Sequence, residues 1–329
     1  MCRRVMPIAI SLVLTAAAWS IPQEWKQWLP QLTRQDDFYS FWSTAAYQSA
    51  LAGVLGSGRT EPFAVFSGHR QQTCRGEVTT CNDSRLTVPI LHLTDWWAAD
   101  DCIGPVEGRV SVHLTLLPDA SRDYGWAPAG LPDRNACPLR DVVLTARHCM
   151  RYLLSMPDVH EPRVGLIGEG LGGAAAVALA ALDPDLVAFV AVHEPAPGFH
   201  YLEHGMPADS PAVLAPLSRT KAASAIGEEQ IRRTMTYFDF FNFAPEVKGP
   251  ALVTMSQNDD VATPEQVLSI YNHLRCSKRL AVYEYENHLT DADREEFYYE
   301  TYLWLQGIGY VQGVEKKRRG DKVMRLLQR

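Results

Sequence analysis

Apolar residues in the second half of the chain follow two alternating periods. Short unbroken apolar runs at 163–167, 186–192, 251–255 and 280–285 read as strands buried on both faces. Between and around them, apolar positions three and four residues apart mark helices at 139–154, 174–182, 228–237, 264–274 and 291–306. In the first of these, Val142, Val143, Ala146, Met150, Leu153 and Leu154 form one stripe, and Pro157 ends it. Thr263 stands before Pro264 as a helix cap. Nearer the start, 36–52 carries Phe38, Phe41 and Trp42 as the stripe of an amphipathic helix, followed by strand-like runs at 86–93 and 109–117. Strands alternating with helices predict a mostly parallel sheet with right-handed crossovers and helices on both faces. In such a sheet, chemistry gathers at the carboxyl ends of the strands.

One junction stands out. The strand at 163–167 runs through Gly168-Glu169-Gly170-Leu171-Gly172-Gly173 into an alanine-rich helix. Read as G-x-G-x-x-G, the glycines Gly168, Gly170 and Gly173 could seat a pyrophosphate on a helix N-terminus. Glu194, at the end of the next strand, then stands where a ribose-binding acid would. That is the pattern of a dinucleotide-binding oxidoreductase. Read as a G-x-S-x-G nucleophile elbow, the turn also fits, with Gly170 at the serine position. The turn alone does not decide between them.

Composition narrows the field. The chain has 329 residues, 47% hydrophobic and 21% charged, as in globular proteins, and its net charge of −7 lacks the basic footprint of a nucleic-acid binder. Basic residues concentrate only at 313–329, which reads as a solvated tail, with contact to an anionic surface as the alternative. At the other end, Arg3 and Arg4 precede an uncharged stretch, 5–22, that passes through Ala16-Ala17-Ala18. Residues 1–22 therefore read as an export signal, with an uncleaved membrane anchor or a buried helix as alternatives, and 36–312 as one domain. Export suits a disulfide, for which Cys74 and Cys81 are the short-range pair, whereas Cys149 sits in a helical pattern as a small buried hydrophobe.

Beyond the glycine turn, residues 233–264, then Tyr271 to Leu274 (YNHL) and Val282 to His288 (VYEYENH), resemble the acetyl-xylan esterase/cephalosporin-C deacetylase family of α/β-hydrolases. The resemblance runs from about 141 to 288. It implies an α/β-hydrolase fold and an elbow of the form G-x-S-Q-G-G after the strand at 163–167. It also implies an acid in the loop Asn258-Asp259-Asp260-Val261 and a histidine after a strand ending Tyr-x-Tyr. Matched residue by residue, the acid falls on Asp259, the base on His288, the nucleophile on Gly170 and the glutamine after it on Leu171.

That chemistry needs a hydroxyl to attack an acetyl carbonyl, an imidazole to take its proton and a carboxylate to hold the imidazole's tautomer. Asp259 and His288 supply the last two, and no other G-x-S-x-G occurs in the chain. Of the oxyanion hole, Leu171 keeps its amide. The nearest counterpart of the second donor, 93–97, offers Asp95, whose charge would oppose a developing oxyanion.

The expectation is therefore a degenerate, silent or very weak esterase with a vestigial Asp259/His288 pair. The alternatives are an active carboxylic-ester hydrolase with another nucleophile and the dinucleotide-binding oxidoreductase. From the resemblance follow a small ester or acetylated saccharide as ligand, no cofactor, and assembly into homo-oligomers. No metal site is expected either: Pro195 and Pro197 keep one helix from presenting His193 and His200 together. Trp96, Trp97 and Trp126 are candidates for stacking on a sugar, and Tyr237, Phe238, Phe240, Phe241 and Phe243 for core.

Overall fold

The apolar runs pair side by side. The structure is a computed structural model that describes residues 27, 29–43, 49–52, 61–67, 74–80, 85–94, 106, 108, 110–116, 133–196, 233–259, 261–284 and 288–312. Among the described residues, nine strands form: β1 (Ser49–Ala52), β2 (Glu61–Ser67), β3 (Cys74–Thr80), β4 (Ile90–Thr94), β5 (Val110–Leu116), β6 (Val164–Glu169), β7 (Val187–His193), β8 (Ala251–Ser256) and β9 (Lys278–Tyr283). They form one sheet in the order β1-β2-β3-β5-β4-β6-β7-β8-β9. The three pairings from β1 to β5 are antiparallel and the rest, from β5 to β9, are parallel.

Helices cover both faces. Alternation along each strand divides the core, so that Val190, Val192, Val253 and Met255 face one layer while Ala191 and Leu252 face the other. The first layer holds α1 (Phe38–Ser43), α2 (Pro138–Ser155), α3 (Leu171–Leu182) and α4 (Pro264–His273); the second holds α5 (Asp291–Ile308). This is an α/β-hydrolase fold. Pro138 opens α2 and Pro264 opens α4, where a missing N–H costs nothing. α3 is alanine-rich and buried along almost its whole length, packed on the centre of the sheet.

The β6–β7 ladder slips at its start, with Val164 opposite Val187 but Gly165 opposite Phe189. The extra residue, Ala188, makes a bulge that turns both Ala188 and Phe189 toward the α5 layer. A Cβ on Gly165 would lie 2.3 Å from Phe189 Cζ, so the bulge depends on the glycine facing it.

Several sequence expectations need correction. Of the helix expected over 36–52, the described residues show α1 at its start, while β1 occupies its last four residues. Backbone pairing with β2 decides the conformation of Ser49–Ala52, against the helical preference of its alanines. β2 and β3 carry no strand signal in the sequence, because Pro62 and Gly76 interrupt their alternation. The run at 86–93 is a strand only from Ile90, with Leu86 making a single bridge to Val311. β9 begins and ends two residues earlier than 280–285. Thr263 is the α4 cap residue, but its side chain makes no capping bond. Tyr237, Phe238, Phe240, Phe241 and Phe243 are buried core as expected, clustered with Phe38, Phe41 and Trp42 of α1. Cys149 and Cys276 carry free thiols.

Residues 1–22, the tail 313–329, Cys81, Asp95, Trp96, Trp97, Trp126, His200 and the first half of the 228–237 segment lie outside the described residues. Among the described residues, no helix is long and apolar enough to cross a membrane.

Candidate active site

Four neighbouring strands, β6 to β9, end on the same edge of the sheet, and each delivers one candidate residue there. β6 leads into Gly170, β7 into Glu194, β8 into the loop bearing Asp259, and β9 into the segment before α5 bearing His288. The parallel order of the strands converts four distant sequence positions into neighbours.

Gly170 has φ 53° and ψ −123°, a conformation disfavoured for residues with a Cβ. It makes the sharp turn from β6 into α3. Its N–H donates to His193 O at 2.9 Å, and its carbonyl accepts from Ala174 at 3.1 Å and Ala196 at 3.2 Å. The flanking glycines are explained by contact: a Cβ at Gly172 would lie 2.0 Å from Leu93 O, and one at Gly168 would lie 2.5 Å from Gly172 O. The helix thus starts hard against the ends of β4 and β6. Glu169 anchors the same turn from behind, accepting from Arg294 Nε at 2.6 Å and from the Tyr298 hydroxyl.

On the other side, Asp259 and His288 meet. Asp259 Oδ1 accepts from the Val261 and Ala262 amides at 2.7 and 2.9 Å, which turns Oδ2 to His288 Nδ1 at 2.7 Å. Both side chains are buried. An Nδ1 proton held by the carboxylate leaves Nε2 as the nitrogen for a reacting group, the tautomer a base in acyl transfer needs.

A third group enters this pair. Glu194 Oε2 lies 3.1 Å from the same His288 Nδ1 and also accepts the Leu289 amide at 2.9 Å. Glu194, the candidate ribose-binding acid of the alternative dinucleotide reading, is fully buried. The signal for its position was its place at the end of the strand between β6 and β8. Burial by itself would lower the His288 pKa, but hydrogen bonds and charge from Asp259 and Glu194 outweigh it and hold the imidazole above its ordinary value. Burial likewise opposes ionisation of Asp259, while His288 and the loop amides hold its carboxyl below the usual range.

A polar surface cavity of about 460 Å³ beside α1 contains none of these residues; Asp37, Asp133, Arg134 and Tyr237 line it. There Arg134 lies over the Tyr237 ring at 4.4 Å and binds Asp37 at 2.7 Å, clamping α1 to the segment before α2.

The acetyl xylan esterase (AXE1) family matches the chain over residues 111–307. Acetyl esterase Axe7A of Xylanibacter ruminicola is 28% identical over 190 residues, 56% of this chain and 40% of that protein. The chain thus spans well under half the length of that relative. Among solved structures, the acetyl xylan esterase from Paenibacillus sp. R4 superposes with a TM-score of 0.67 at 19% identity, covering 88% of this chain and 99% of that one. Acetyl xylan esterase 1 from Thermoanaerobacterium superposes with a TM-score of 0.63 at 16% identity, covering 86% and 99%.

Proposed function

We propose, on the premise that the chain belongs to the acetyl xylan esterase family, that it is a catalytically silent member retaining an ester-sized site for small acetylated saccharides. The observation that carries this reading is the pairing of an intact Asp259–His288 contact with Gly170 at the tip of the strand-to-helix turn. In a serine esterase, that tip presents the hydroxyl whose proton the imidazole takes. Glycine holds the left-handed backbone there without a Cβ, so the turn keeps its shape at no steric cost while the attacking atom is lost.

Without a nucleophile, His288 can at most activate a water. Residual hydrolysis is then limited to what binding and backbone donors supply, on the order of 10³–10⁴ over the uncatalysed rate. The residues of the dinucleotide pattern have other engagements here: Gly168 packs on the first turn of α3, and Glu194 is buried against Leu289 and His288.

The test is Gly170→Ser assayed with p-nitrophenyl acetate. The variant is expected to hydrolyse the ester at least about 10²-fold faster than the parent chain, the scale on which a restored nucleophile acts beside an existing base. Equal rates in the two proteins, or parent rates already typical of a serine esterase, would overturn the reading.

A further inference from the structure

Behind the Asp259–His288 pair lies a second cluster, which shares Glu194 with it. His193 ends β7, Glu194 follows it, and Asp293 sits in the first turn of α5; all three are fully buried. His193 Nε2, Glu194 Oε1 and both Asp293 carboxylate oxygens make no hydrogen bond. One potential ligand atom from each residue falls within 4.8 Å of the other two. Buried polar groups left unbonded in this number require a partner, since each carries its full desolvation cost.

The imidazole's own bonds show what kind of partner. His193 Nδ1 lies 2.8 Å from Thr254 Oγ1, whose hydroxyl donates to Val192 O at 3.4 Å. With its proton used there, the hydroxyl accepts from Nδ1–H. Nε2 therefore faces the two carboxylates with either a lone pair or a second proton. A second proton would draw a carboxylate oxygen to about 2.7–2.9 Å. The oxygens stand off instead, Asp293 Oδ1 at 3.5 Å and Glu194 Oε2 at 3.9 Å. Ligand atoms around a tetrahedral ion bound at about 2.0–2.1 Å lie about 3.3–3.4 Å apart, close to the His193–Asp293 spacing.

We propose that His193, Glu194 and Asp293 form a buried site for a divalent transition-metal ion of the zinc type, joining the end of β7 to the start of α5. One imidazole nitrogen and two carboxylates are a donor set for such an ion, and its charge balances the two acids with the histidine neutral. Arg294, the cation on the same helix turn, is engaged by Glu169 at 2.6 Å. Around the ligands, Thr254 fixes the imidazole, the Phe297 ring stacks on it at 5.2 Å, and the Thr290 hydroxyl accepts the Asp293 amide at 3.3 Å. The inference is independent of the silent-esterase reading and holds whether or not the chain hydrolyses esters.

Asp293 is brought to His193 by α5 from 100 residues away along the chain.

Metal analysis of the full chain, tag removed and refolded with zinc chloride as the probe, tests this. About one zinc per chain should survive gel filtration, and chelation should lower the melting temperature. Asp293→Asn should hold at least about tenfold less zinc. Thr254→Val keeps all three ligands and loses only the group that orients His193, so it should weaken zinc binding about 10–100-fold, a readout that stands even where Asp293→Asn fails to fold. Less than about a tenth of an equivalent bound after refolding would overturn the proposal. So would zinc retained equally by the parent and both variants, or a doubly protonated His193 ring in the zinc-treated protein.

Discussion

Leu289 donates its backbone N–H to Glu194 Oε2 at 2.9 Å, and both residues hold left-handed backbones, with φ of 49° and 46°. Two strained non-glycine residues joined by one buried hydrogen bond are sustained only where their surroundings over-determine them. Here the bond fixes the segment that begins with His288. The Glu194 amide, bonded to Thr254 O at 2.9 Å, ties the acid to β8 as well.

Glu194→Ala should therefore cost about 2–3 kcal/mol, since it leaves the Leu289 amide unbonded and removes one of the two acids facing His288. Glu194→Gln keeps an acceptor for that amide and should lose less. Urea unfolding with unchanged slope is the measurement. Equal midpoints for all three proteins would show that the contact does not hold the loop.

The glycines of the elbow should not tolerate a methyl group. Gly172→Ala places a Cβ 2.0 Å from Leu93 O, backbone that cannot yield cheaply, so the variant should lose several kcal/mol or fail to accumulate folded. Gly307→Ala is the internal control. Nothing lies within 4 Å of its Cβ and it sits inside α5, so it should gain about 0.5–1 kcal/mol. Thermal melts of the two variants should move in opposite directions.

Acid stability should depend on Asp183. Burial disfavours its charge, but hydrogen bonds from Arg147 at 2.5 and 2.9 Å and Arg151 at 2.8 Å outweigh this and lower its pKa below the ordinary 3.8. A folded-state pKa below the unfolded one gives stability that is complete above the unfolded value and fades as pH falls through the folded one. The gap between the parent and Asp183→Asn should thus be constant from about pH 5 to 8 and close below about pH 4. Urea midpoints across that range test it; a gap that widens in acid would contradict the assignment.

The parallel half of the fold was legible because its strands are buried on both faces, and apolar runs such as 186–192 and 251–255 have no other use. The antiparallel half was not. Ser49–Ala52 contains nothing but small residues and one leucine, and only its pairing with β2 makes it a strand. At the site, the positions of Gly170, Asp259 and His288 could be set by motif and chain order. The placement of Glu194 against His288, and of Asp293 against His193, depends on which strands are neighbours and on where α5 begins.

A hydrolase site persisting around a turn without an attacking oxygen, as proposed, would be open to covalent labelling only once a serine is restored. A serine-directed organophosphonate, followed by mass spectrometry of the intact chain, measures this directly. The parent protein should remain unmodified, Gly170→Ser should take up one adduct at position 170, and adding His288→Ala should abolish that uptake. An adduct on the parent chain would contradict the account, as would a Gly170→Ser variant that folds normally and stays unlabelled.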